Sequence, residues 1–169
     1  MPKIVDHAAH RTDLALRASK YFSKHGYAGG SMRNIAEYLG VSKSALYHYF
    51  PNKESLFLAC TEQVMSQVDV SELEESATQQ EQIQQLINVM QVDFGSEMAL
   101  LFDYLRNKSK AEIAENEAMQ VSIETYRRMV EAIVGANKTD ETLAMIMGTL
   151  LLDHLSGGTW AASSNLPSK

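Results

Sequence analysis

Apolar residues recur along this chain at three- and four-residue intervals almost throughout, and the alternating runs that signal strands are nearly absent. Leu14, Ala18 and Phe22, with Ala15 and Tyr21 beside them, predict a first helix that Thr12 can cap and Gly26 can end, with Lys24 and His25 in its last turn. Ser31 is the expected cap of a second helix, with Met32, Ile35, Ala36 and Leu39 on one face and Gly40 as its stop. Ser42 opens a short third helix that turns Ala45, Leu46, Tyr49 and Phe50 inward and closes at Pro51-Asn52. Asn52 begins a fourth, where Glu54 meets the positive end of the helix dipole and Leu56, Phe57, Val64, Met65 and Val68 carry the apolar stripe. An acidic loop is expected over Asp69–Glu75, followed by helices over 79–94, 97–107, 112–134 and 140–160 and a loose tail from Ser163 to Lys169. The pattern predicts an all-α protein. An N-terminal three-helix helix-turn-helix domain is joined by a fourth helix to a helical C-terminal domain, divided as 1–58 and 59–169.

Composition narrows the class. A chain of 169 residues can bury a core without disulfide or metal staples, and its single cysteine, Cys60, reads as buried packing rather than a redox centre. The opening residues lack the apolar run of a signal peptide, and no segment approaches the roughly 18 uninterrupted apolar residues of a membrane span, so a cytoplasmic protein is expected. The net charge of -6 conceals a division: residues 1–58 hold eight basic against four acidic side chains, a balance of +4, and the remainder carries -10. Such asymmetry suits a protein of which one part meets a polyanion while the other is repelled from it.

The segment from Ser31 to Lys53 has the spacing of a helix-turn-helix. Ala36 lies where two helices must approach closely, and Gly40 supplies the positive φ of the tight turn. Facing away from the apolar side are Lys43, Ser44, Tyr47 and His48, with Lys53 opening the next helix, and Arg33 and Ser31 opening the second. Lys and His donate to phosphate or to guanine acceptors, Ser reads either, and a Tyr hydroxyl bonds phosphate while its ring packs on sugar. The competing reading is an ordinary αα-corner with solvated side chains. The convergence of these residues on one face favours the nucleic-acid reading.

The string Gly26-Tyr27, then Ser31-Met32-Arg33-Asn34-Ile35-Ala36, then Gly40-Val41-Ser42-Lys43-Ser44-Ala45-Leu46-Tyr47-His48-Tyr49-Phe50-Pro51-Asn52-Lys53-Glu54-Ser55-Leu56 resembles the TetR family of bacterial transcriptional regulators, the likeness running from about Arg11 to Cys60. The resemblance implies that Arg33, Lys43, Ser44, Ala45 and His48 face the DNA groove, while Tyr47, Tyr49 and Lys53 contact the backbone. Ser31 stands where the family more often has threonine and keeps the hydroxyl. The resemblance further implies a dimeric repressor on double-stranded operator DNA, released by a small effector held in the C-terminal domain. At 111 residues beyond position 58, that domain is short for the family, so a missing helix or a small pocket is expected.

Within it, Met65, Met90, Phe94, Phe102, Tyr126 and Met129 are candidates to line an apolar effector cavity, since Met adapts to varied ligands, although stripes at helical spacing are also the pattern of plain core. Asp93, Glu97 and Asp103 suit a cationic ligand or an acidic surface that avoids DNA. The stretch Thr142–Trp160 is apolar on more than one face, which assigns Leu143, Met147, Leu150, Leu151 and Leu155 to a homodimer interface unless the helix is central and fully buried. No nucleophile elbow, phosphate-cradling loop or zinc spacing is present, so no catalytic residue, metal or cofactor is assigned. His7 and His10 read as part of an N-terminal arm. The alternative function is a helical ligand-binding or enzymatic bundle without DNA binding.

Overall fold

The computed structural model describes residues 6–67 and 77–160. Val68, the expected acidic loop at 69–75 and the expected tail at 163–169 lie outside the described residues. The described residues form nine α-helices and one 3-10 turn, with no strand among them: α1 (His7–His25), α2 (Met32–Leu39), α3 (Lys43–Tyr49), α4 (Lys53–Ser66), α5 (Gln79–Gln91), α6 (Phe94–Leu105), α7 (Lys110–Ala114), α8 (Glu117–Val134) and α9 (Thr139–Leu155), the turn at Ala136–Lys138 preceding α9. Chain contacts group these into two units, one of Met1–Asp69 with Glu97–Ile123 and the other of Val70–Ser96 with Glu124–Lys169, a division different from the functional boundary expected at 58.

In the first unit the predicted stops and caps fall into place. Ser31, Ser42 and Asn52 each accept a backbone amide at the start of α2, α3 and α4, and Asn34 and Ser55 bond back to the first and last of these caps. Gly40, at φ 71°, takes the left-handed conformation that turns α2 into α3 and returns its amide to the carbonyls of Ala36 and Glu37. Leu14, Phe22, Ile35, Ala36, Leu39, Leu46, Phe50 and Leu56 are buried together as the core of this unit, joined by Tyr104 of α6 and Ala118 of α8.

Two expectations at helix starts are corrected. The cap of α1 is Asp6, whose carboxylate accepts the amides of Ala8 and Ala9, and Thr12 lies inside the helix. His7 and His10 therefore stand on α1 rather than on a separate arm. The helix expected over 112–134 is broken at Asn116, which is buried and turns its Oδ1 to the Met119 amide at the start of α8. Ser109 and Glu112 form a capping box on the short α7 that precedes the break.

In the second unit α5 packs on α9. Ile83, Leu86 and Ile87 of α5, Phe94, Met129 and Val130, and Ile146 and Leu150 of α9 are buried. Leu150, expected at a dimer interface, is 2% exposed and belongs to the core of its own chain, while Leu151 and Leu155 are 39% and 71% exposed. Leu143 and Met147 are half-buried.

Candidate nucleic-acid interface

The helix-turn-helix is built by burying one side of α2 and α3, which leaves the other side to solvent. Ile35, Ala36 and Leu39 of α2, and Leu46 with Phe50 at the end of α3, are buried, whereas Arg33, Lys43, Ser44, Tyr47 and His48 are exposed. Ala36 is 2% exposed, as the close approach of the helices requires. The Ser42 hydroxyl accepts the Ala45 amide at 3.1 Å and lies 3.1 Å from the Ser44 hydroxyl, so the α3 N-terminus presents two hydroxyls side by side. The Lys43 ammonium sits 5.6 Å from the Tyr47 ring centroid, which holds a charge over an aromatic face along the helix. Ala45 and Tyr49 are half-buried. Ser31 is exposed at the start of α2 and accepts the Asn34 amide at 3.3 Å.

Lys53 is held from inside the unit. Its ammonium donates to the carbonyls of Tyr27 and Gly30 at 2.9 and 3.0 Å and lies 4.3 Å from the Tyr27 ring centroid. Two of its three donors are thus engaged by the loop between α1 and α2, which leads directly into the Ser31 cap. The same loop is held by α6: the Ala28 amide donates to the Asp103 carboxylate at 2.7 Å. At Gly26, φ 72°, a side chain would meet that carboxylate at 2.9 Å. The Arg17 guanidinium of α1 donates to the Leu39 carbonyl, one residue before the Gly40 turn, and pairs with Asp13 at 3.3 Å.

A second polar network holds the start of α4. Tyr104 donates its hydroxyl to the Glu54 carboxylate at 2.9 Å, Lys108 pairs with the same carboxylate at 2.5 Å, and Asn116 donates to the Tyr104 oxygen at 2.7 Å. The bonds from Lys108 and Tyr104 hold the Glu54 carboxyl below its ordinary range, while burial raises the Tyr104 phenol. Burial also pushes the Cys60 thiol up to about 12, and its Sγ donates to the Ala15 carbonyl at 3.2 Å, the chemistry of an inert packed thiol. None of Asp103, Tyr104, Lys108, Asn116 or Arg17 was assigned a role in the helix-turn-helix from sequence. Their partners lie many residues away, and no local periodicity signals such contacts. The Ser109-to-Glu112 capping-box spacing was a local signal for the α7 start.

The candidate effector residues divide between the two units, Met65 and Phe102 in the first and the other four in the second. Phe94 and Met129 are buried in the second unit, Met90, Tyr126 and Met65 are half-buried, and Phe102 is 61% exposed. A cavity of about 450 Å³ lies in the first unit, lined by Glu54, Ser55, Leu58, Tyr104, Lys108, Glu112 and Asn116 among others, and by none of those six. Among the described residues, no group of three or more His, Cys, Asp or Glu side chains is placed to hold a metal ion, and no helix is long and apolar enough to cross a membrane.

Comparison with known proteins adds to this geometry. The model of the family "bacterial regulatory proteins, tetR family" matches residues 16–60. The chain is 41% identical over 49 residues to the HTH-type transcriptional repressor AcnR of Corynebacterium diphtheriae, covering 29% of this chain and 26% of that protein. It is 46% identical over 58 residues to the HTH-type transcriptional regulator RutR of Escherichia coli K12, covering 34% and 27%. The match spans about a quarter of the length of these curated relatives. A solved TetR transcriptional regulator from Legionella pneumophila shares the fold, with a TM-score of 0.60 over 92% of this chain and 91% of that one at 22% identity.

Proposed function

We propose, from the match of residues 16–60 to the tetR family model, that this chain is a transcriptional regulator of the TetR family that binds double-stranded operator DNA as a homodimer. The observation that carries the reading is the division of α2 and α3 into a buried apolar side and an exposed side bearing Arg33, Lys43, Ser44, Tyr47 and His48. On this reading α3 enters the major groove. Arg33, Lys43, Ser44, Ala45 and His48 face base edges and nearby phosphates, and Ser31, Tyr47, Tyr49 and Lys53 contact the backbone. Residues 1–58 read DNA, and 59–169 serve the dimer and a small effector whose binding releases the operator, which makes the protein a repressor. The repressor named among the relatives supports that sign of regulation.

The homodimer is supported by apolar side chains left exposed in the second unit, Leu151, Leu152, Leu155 and Trp160, at 39–71% exposure. A twofold partner places the two α3 helices for half-sites one DNA turn, about 34–36 Å, apart. The test is selection of bound duplexes from random DNA at physiological salt, followed by affinity measurements on the recovered site at several salt concentrations. A twofold-symmetric site is expected, with log affinity falling linearly against log salt at about -0.9 per neutralised phosphate. Failure of the folded protein to enrich any sequence, even at low salt, would move the reading to a helical bundle that does not bind DNA.

A further inference from the structure

Three histidines converge on one tyrosine where the first turn of α1 passes the end of α3. His7 Nδ1 lies 3.0 Å from the Tyr49 hydroxyl, the His10 ring centroid is 5.4 Å from that of Tyr49, and the His48 ring is 6.2 Å from His7. The charged groups around them are Arg11, over the Phe50 ring at 5.1 Å, and Lys43 at the other end of α3. The carboxylates of α1 and its cap are engaged: Asp6 accepts the amides of Ala8 and Ala9, and Asp13 pairs with Arg17.

The His7–Tyr49 bond has two polarities. A neutral imidazole with its proton on Nε2 accepts the Tyr49 proton, whereas an imidazolium carries a proton on Nδ1 and donates it to the phenol oxygen. Taking up a proton from solvent therefore reverses the bond, frees the Tyr49 O–H for an outside acceptor and places a positive charge beside it. Histidine is the side chain whose charge changes between about pH 5 and 8. The His7 side chain is exposed and Tyr49 half-buried, so the reversal needs no rearrangement of the core.

We propose, on the DNA-binding reading above, that His7 makes the affinity for duplex DNA proton-dependent by turning the Tyr49 hydroxyl into a donor to a backbone phosphate. His7 is a positioning residue for Tyr49, and His10 and His48 add charge to the same patch. The test uses the full chain and a duplex recovered by selection, with fluorescence anisotropy from pH 8.0 to 5.5 at constant ionic strength, for wild type, His7→Gln, Tyr49→Phe and the double variant. Affinity rises as pH falls, by about tenfold more in wild type than in His7→Gln, the size of one hydrogen bond to a charged group. In the Tyr49→Phe background, His7→Gln loses most of that difference. Equal pH dependence in wild type and His7→Gln would overturn the proposal, as would a His7→Gln effect undiminished by Tyr49→Phe. Both results leave DNA binding itself standing. Absence of binding to any duplex at either pH would overturn the DNA-binding reading and this proposal with it.

Discussion

Lys53→Met separates what the Lys53 ammonium does from what its stem does, because methionine keeps most of the aliphatic chain against Tyr27 and loses the charge. In the structure that ammonium donates to two carbonyls, of Tyr27 and Gly30, and lies 4.3 Å from the Tyr27 ring centroid. A hydrogen bond from a charged group contributes about 1.5 kcal/mol at the low end of its range, fitting for a half-buried lysine, and an exposed cation–π contact adds about 0.5 kcal/mol. The full sum of roughly 3.5 kcal/mol overstates the loss, because water can solvate part of what is vacated, and a net cost of about 2 kcal/mol is expected. The assay is urea unfolding followed by near-ultraviolet circular dichroism of the tyrosines, at one fixed protein concentration so that subunit association does not shift the midpoint. The midpoint should fall with the slope unchanged. A loss below about 0.5 kcal/mol would refute the view that Lys53 clamps the loop before α2 and would leave its charge free to act wholly on DNA.

Lys43→Ala should change base preference in a repeated selection with little effect on the urea midpoint, since Lys43 is exposed; the same operator bound with the same affinity would remove Lys43 from the groove. Leu155→Glu, at a side chain 71% exposed, should convert a dimer to a monomer in sedimentation while the chain stays folded, and an unchanged dimer would place the interface elsewhere. Glu54 has its carboxyl held below the ordinary value of 4.5, chiefly by Lys108 and Tyr104, so it stabilises the fold above that value and the contribution fades as pH falls through the lowered one. Glu54→Gln should therefore flatten the loss of stability between pH 7 and 3 relative to wild type. The difference is kept small by solvent screening of a side chain 52% exposed, and identical pH profiles would count against the ion pair.

The helix-turn-helix was legible because its determinants are local. A cap three residues before its amide, a glycine at a forced positive φ and an apolar face of three- and four-residue spacing are all contained within a turn or two of chain, as at Ser31, Gly40, Ser42 and Asn52. The start of α1 was missed for the complementary reason. Its first turn, His7 to His10, carries no apolar stripe, so periodicity began at Leu14 and the cap was sought beside it, whereas Asp6 sets the start by bonding two amides. The break at Asn116 was hidden because the apolar period continues across it, and because the tyrosine that satisfies the Asn116 amide stands twelve residues earlier in another helix.

The same distinction separates two kinds of residue in the helix-turn-helix unit, whose substitutions should differ in effect. Side chains such as Lys43, Tyr47 and His48 are exposed on a face whose core is complete without them, so their character was readable as composition, and their replacement should alter binding at nearly constant stability. The clamps are different. Consecutive residues of α6, Asp103 and Tyr104, hold the Ala28 amide ahead of α2 and the Glu54 carboxylate at the start of α4, and Arg17 holds the carbonyl before the Gly40 turn. These contacts bracket α3 at its flanks without touching its outer face. Replacement of a clamp should therefore change stability and affinity together, and a variant such as Asp103→Asn that lowered the unfolding midpoint with no change in DNA affinity would show that the flanks do not set the geometry of α3.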